Sequence, residues 1–170
     1  KMAELAWNTT QDYNNAINDE EQLLASDNIL KNYIAADISK RWSKDISSVI
    51  DALHIWNKNS FLANHLDVSK IGVLGHSQGG SAVGQAILDD NRIFAGINLD
   101  GIQWGNIIDT TLTKPFLYIS SDWKPPHPNF SKYAYQNGSS SIFYDAKIIN
   151  SGHSSFMDIP LMVNIPTLNE

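Results

Sequence analysis

The sequence predicts an α/β fold: a parallel sheet with helices on both faces. Three observations carry this. Short apolar runs of four to eight residues recur along the chain, as strands buried on both faces do. Segments of helical periodicity separate them. One of the runs ends in Gly75-His76-Ser77-Gln78-Gly79, a glycine-framed serine standing between a strand and a helix.

Taken in order, residues 1–25 are polar and rich in Asn, Asp and Gln, with a weak helical pattern. From Asp37 the signal strengthens. Ile38, Trp42, Ile46, Val49, Ile50, Leu53 and Trp56 recur at spacings of three and four, one apolar face of a long helix. Asn57 to Leu66 is a connection. Residues 71–74 form the first strand and 81–88 the helix behind the serine. A second strand, Ile93 to Leu99, follows a turn at Asp89-Asp90-Asn91 and ends on Asp100-Gly101. Residues 115–120 are the third strand, with Asp122 just beyond it. The prolines of Pro125-Pro126-His127-Pro128 argue against any regular element there. Tyr133 to Gln136 suits a short helix. Ser141 to Ile149 is the fourth strand, and Ser151-Gly152-His153 a loop after it.

A chain of 170 residues suggests one domain, 1–170, large enough to bury a sizeable core. Twelve basic against eighteen acidic residues leave a net charge of −6, which argues against a nucleic-acid partner. There is no run of 18 apolar residues and hence no expected membrane span. No secretory signal stands at the start, which is Lys1, and the compartment is not readable. The absence of cysteine removes disulfides, a thiol nucleophile and cysteine–metal sites.

The Gly-x-Ser-x-Gly segment calls for strand, sharp turn and helix, with the serine hydroxyl thrust out at the carboxyl edge of the sheet. Gly75 and Gly79 are expected where a side chain would collide with the neighbouring strand or helix. A serine hydroxyl is a weak nucleophile and needs a base, which in turn needs an orienting acid. On this scaffold the acid and then the base follow the serine along the chain. His153, just past the last strand, suits the base better than His127 in the proline cluster. His76 suits a packing or hydrogen-bonding role beside the turn. Two carboxylates compete as the acid. Asp100 ends the strand after the nucleophile's helix, and Asp122 ends the following strand. Position along the fold alone favours Asp122. The backbone N–H of Gln78, the residue after the serine, would supply half of an oxyanion hole.

Gly75-His-Ser-Gln-Gly-Gly80, followed by Asp89-Asp-Asn-Arg-Ile-Phe-Ala-Gly-Ile-Asn-Leu-Asp100, resembles the platelet-activating factor acetylhydrolase family of α/β-hydrolases. Gly152-His153-Ser-Ser-Phe156-Met-Asp158 is similar to its histidine segment, and residues 115–122 to a strand ending in a non-catalytic acid. The resemblance covers roughly residues 30–165. It implies Asp100, rather than Asp122, as the acid beside Ser77 and His153. It implies a short-acyl ester of a lipid or phospholipid as substrate and no cofactor or metal. Trp104, Trp123 and Phe156 are then candidate pocket residues, with ordinary packing as their competing role. Gln78 stands where the family usually carries an aromatic. No segment before residue 37 resembles the family's first strands or the loop that supplies its second oxyanion N–H. The expectation is therefore a partial hydrolase domain lacking its amino-terminal strands. Two other functions stay open: acyl transfer or thioester hydrolysis with the same three residues, and a catalytically weak binding protein that keeps only the turn.

Overall fold

The computed structural model describes residues 2–123, 127–158 and 162. Three helices lead the chain: α1 (Met2–Asn15), α2 (Asp19–Asn32) and α3 (Ile34–Asn59). Strand β1 (Ile71–His76) and helix α4 (Gln78–Asp89) follow, then β2 (Ile93–Leu99) and a 3₁₀ turn at Asn106–Asp109. Strand β3 (Phe116–Ser120), helix α5 (His127–Ala134) and β4 (Phe143–Lys147) complete the sheet, and a second 3₁₀ turn spans His153–Phe156.

Local chemistry explains the boundaries. The Asn18 side chain accepts the Glu21 N–H at 2.9 Å, and the Glu21 carboxylate accepts the Ile17 N–H at 3.0 Å. This reciprocal cap, with Asp19, Glu20 and Glu21 in the first turn, starts α2 in a sequence of weak periodicity. Helix α4 is buried on nearly every side, from Gly80 through Ile87. A helix apolar all round must sit between two layers: α4 packs on β1 and β2 and carries α3 on its back.

The strands pair in sequence order, β1-β2-β3-β4, all parallel. Val73 stands opposite Gly96, Gly96 opposite Phe116, and Phe116 opposite Phe143. Ile50, Val83, Ala86, Ile87, Ile93 and Phe116 form the main core on the α4 side. Helix α5 lies on this side too, since Tyr135 just beyond it packs its ring on Phe116 and Tyr118. Among the described residues, helix packing is thus gathered on one face, so the helical cover expected on both faces is seen on one. On the other, Leu74 and Tyr144 are exposed.

Two expectations need correcting. The proline cluster does not exclude a helix: α5 begins at His127, with Pro128 in the first turn. A helix's first N–H groups have no internal acceptor, so proline costs nothing there. Pro125 and Pro126 lie outside the described residues. The apolar face of α3 is real but incompletely buried. Ile50 enters the core, while Trp42, Val49 and Trp56 remain exposed. Trp42 and Val49 border a groove of about 520 Å³ along the free edge of β1, with Leu53 and Leu74.

Candidate active site

The carboxyl edge of the sheet gathers the candidate residues. Ser77 sits between β1 and α4 with φ 57° and ψ −125°, a conformation that a non-glycine residue adopts only where its surroundings enforce it. Its N–H donates to the Leu99 carbonyl at 2.9 Å and its carbonyl accepts the Ser81 N–H at 3.1 Å, so both the next strand and the helix hold the turn. Tight packing beneath it demands small residues. A Cβ on Gly75 would lie 2.4 Å from Gly79 backbone, and one on Gly80 would lie 2.1 Å from Asn98 Oδ1. The expectation for Gly79 fails: a Cβ there meets nothing within 4 Å. The second close approach belongs to Gly80, one position later, because that residue faces β2.

His153 Nε2 lies 2.9 Å from Ser77 Oγ, and His153 Nδ1 lies 2.7 Å from Asp100 Oδ2. Asp100 follows β2, also at positive φ (53°), and its N–H donates to the Ile119 carbonyl at 2.7 Å. It is 1% exposed. Its carboxylate accepts from the Ser121 N–H and hydroxyl and from the Trp123 indole N–H as well as facing His153. Asp122 is engaged elsewhere. It pairs with Lys147 at 2.5 Å and accepts the Asn150 N–H at 3.3 Å. The structure therefore brings Asp100, not Asp122, to the imidazole.

His76 braces His153. Its Nε2 lies 3.2 Å from the His153 carbonyl and its ring 4.5 Å from that of His153. Burial, and then the nearby His153, hold the His76 imidazole below the usual histidine range. Phe156 stacks on His76, with ring centroids 5.9 Å apart. Trp104 and Trp123 border a cavity of about 180 Å³ together with Ser77, Gln78, Ile102 and His153. One ligand-type atom each from His76, Asp100 and His153 lies within 4.8 Å of the others. His153 is already hydrogen-bonded to Asp100 through one ring nitrogen and to Ser77 through the other, so a metal there would have to break that chain.

Gln78 does two things. As the first residue of α4, its backbone N–H has no helical acceptor and stands free at the turn. Its side chain donates to the Ala35 carbonyl at 3.0 Å and to Ser39 Oγ at 2.8 Å, tying the serine turn to α3. Ser39 continues to Ser81 Oγ at 2.8 Å, which accepts the Trp104 N–H at 2.9 Å. A second buried network braces the turn after Asp100. The Asn98 side chain accepts the Gly101 N–H at 2.9 Å and donates to the Tyr135 hydroxyl at 3.0 Å, and Tyr135 donates to Gln103 at 2.9 Å. Sequence reasoning missed these supports. The one available signal was Asn98, an amide within an otherwise apolar strand.

A parallel sheet bearing a serine on a strand–turn–helix elbow is the α/β-hydrolase fold. The chain belongs to the family of platelet-activating factor acetylhydrolase, isoform II, whose model matches residues 37–166. It is 54% identical over 54 residues to an Arthroderma benhamiae protein described as "Probable 1-alkyl-2-acetylglycerophosphocholine esterase", covering 30% of this chain and 14% of that one. Its structure is similar to that of a ferulic acid esterase from Streptomyces cinnamoneus, with a TM-score of 0.66 and 25% identity, over 79% of this chain and 39% of the esterase. The chain thus matches less than half the length of either relative.

Proposed function

We propose that this chain hydrolyses carboxylic esters through an acyl-enzyme on Ser77. Ser77 Oγ attacks the ester carbonyl while His153 Nε2 takes its proton. The tetrahedral oxyanion forms beside the Gln78 backbone N–H, at the positive end of α4. Collapse expels the alcohol, which receives the proton from His153. Water then attacks the acyl carbon by the same route in reverse. Asp100 keeps the imidazole in the tautomer with its free nitrogen toward serine and stabilises the imidazolium that forms. The unbroken hydrogen-bonded line from Ser77 through His153 to Asp100, 2.9 Å and 2.7 Å long, is the observation that carries this reading.

The substrate follows from family membership and from the cavity. The site cavity of about 180 Å³ suits a short acyl group, and Trp104 and Trp123 offer it apolar walls. A short-acyl lipid or phospholipid ester of the acetylglycerophosphocholine kind is the proposed class.

The test is hydrolysis of p-nitrophenyl acetate and longer p-nitrophenyl esters by the purified chain beside Ser77→Ala. Serine-dependent turnover, fastest with acetate, is the expected result. In a working triad the alanine variant loses about 10⁴- to 10⁶-fold in kcat. Equal rates for the two folded proteins would overturn the proposal.

A further inference from the structure

We infer that Ser121 and Trp123 are positioning residues, a two-residue clamp that holds the Asp100 carboxylate aimed at His153; the inference rests on the proposed triad. A carboxylate removed from water must be satisfied by donors or lose its charge, and a neutral acid could not stabilise an imidazolium. Asp100 has a fully buried side chain. A carboxylate has about four lone-pair sites, and their occupants here are specific. Oδ1 accepts the Ser121 N–H at 2.6 Å, the Ser121 hydroxyl at 2.9 Å and the Trp123 indole N–H at 2.9 Å. Oδ2 accepts the same hydroxyl at 2.8 Å and the same indole at 2.9 Å, and faces His153 Nδ1 at 2.7 Å.

Every one of those donors other than His153 comes from the chain leaving β3, the strand beside the one that carries Asp100. The segment wraps the carboxylate and leaves an Oδ2 lone pair pointing at the imidazole. Trp123 does more than donate. Its ring also lies 5.8 Å from the His153 ring at 50°, so a single side chain touches both acid and base. Packing alone does not account for this. Phenylalanine would also place an apolar ring there, but only an indole offers an N–H, which donates and never accepts. That N–H is shared evenly between the two carboxylate oxygens.

Trp123→Phe and Ser121→Ala separate the clamp from packing. The first keeps a ring against His153 and the second keeps the backbone N–H. Two quantities are read in each: kcat and KM on p-nitrophenyl acetate, and the far-downfield proton resonance of His153 Nδ1–H. That resonance is assigned by its loss in His153→Gln. Trp123→Phe should lower kcat about ten- to a hundredfold, the worth of a hydrogen bond to a charged group, with KM nearly unchanged. Ser121→Ala should cost less, and the double variant more than either. In each variant the Nδ1–H resonance should shift or broaden. Wild-type kcat with an unmoved resonance in both single variants would overturn the clamp. So would a drop in melting temperature with wild-type kcat per folded molecule and an unmoved resonance. The resonance needs no turnover. If the wild-type chain hydrolyses no ester but the variants still move it, the hydrolase reading falls and the clamp stands. If turnover depends on Ser77 and both variants match wild type, the clamp falls and the hydrolase reading stands.

Discussion

The carboxyl edge of the sheet and the flank of β1 are built on opposite principles. At the carboxyl edge polar atoms meet polar atoms at hydrogen-bonding distance, and the fully buried Asp100 side chain is surrounded by donors. Along β1 apolar groups face open space: Leu74 is 67% exposed, and Trp42 and Val49 border a groove larger than the cavity at Ser77. The proposed chemistry sits in the smaller cavity. Size alone would have pointed to the groove instead. A reacting centre needs directed, satisfied polar groups, and those are what distinguish the edge from the flank.

The largest expected effect tests the edge. Asp100→Asn should cost about ten-thousand-fold in kcat by favouring the wrong imidazole tautomer, the loss seen in a well-formed triad. Asp122→Asn, which weakens a half-exposed pair with Lys147 and the bond from the Asn150 N–H, should change kcat by no more than about threefold. Steady-state kinetics on p-nitrophenyl acetate decides. A larger loss at Asp122 would reverse the assignment of the acid.

The flank is tested by stability. Ile93→Ala, in the packed core between sheet and α4, should destabilise by about 2–5 kcal/mol. Leu74→Lys should stay within about 0.5 kcal/mol, because its side chain has little packing to lose. Urea unfolding midpoints measure both. A loss of kcal/mol size at Leu74 would mean that the flank is covered in solution.

A finer contrast lies within the elbow. Gly80→Ala drives a Cβ to 2.1 Å from Asn98 Oδ1 and 2.8 Å from the Gly75 carbonyl, and should destabilise by about 1–3 kcal/mol. Gly79→Ala meets no atom within 4 Å and replaces a helical glycine, so it should stabilise by about 0.4–1 kcal/mol. Thermal melts of the two variants should therefore move in opposite directions.

What the sequence revealed follows the same divide. Strands and long helices announce themselves through periodicity, so β2 could be placed from Ile93 to Leu99 and α3 recognised from Ile38 onward. The serine turn is local and carries its own motif. Periodicity also gave α3 an apolar face, but it reports which residues share a face and not whether anything lies on it. Trp42 and Val49 show the gap. The polar supports were illegible for a different reason. Ser39 meets Ser81 across 42 positions, Asn98 meets Tyr135 across 37, and Ser121 meets Asp100 across 21. Such partners are joined only by the fold, and serine or asparagine in a sequence signals a turn or cap far more often than a buried bond. The choice between Asp100 and Asp122 shows the limit. Position along the fold favoured one, resemblance the other, and only three-dimensional proximity separates a carboxylate facing His153 from one paired to Lys147.

The smallest expected effect concerns His76, which belongs to the edge but not to the proposed line of proton transfer. Burial and the neighbouring His153 lower its pKa in the folded state, while the unfolded chain holds it near 6.5. Below that value the unfolded state binds the proton first. The contribution of neutral His76 to stability is therefore complete above pH 6.5 and is lost as pH falls through the depressed folded value. His76→Gln keeps an amide donor for the His153 carbonyl but cannot titrate. Between pH 7.5 and 5, the variant should lose less stability than the wild type, by an amount bounded by about 1.4 kcal/mol per pH unit for a single proton. Urea midpoints taken across that range give the comparison directly. Parallel curves for the two proteins would show that the His76 ring is as easily protonated folded as unfolded, and that the packing of His76 on His153 and Phe156 leaves it in contact with water.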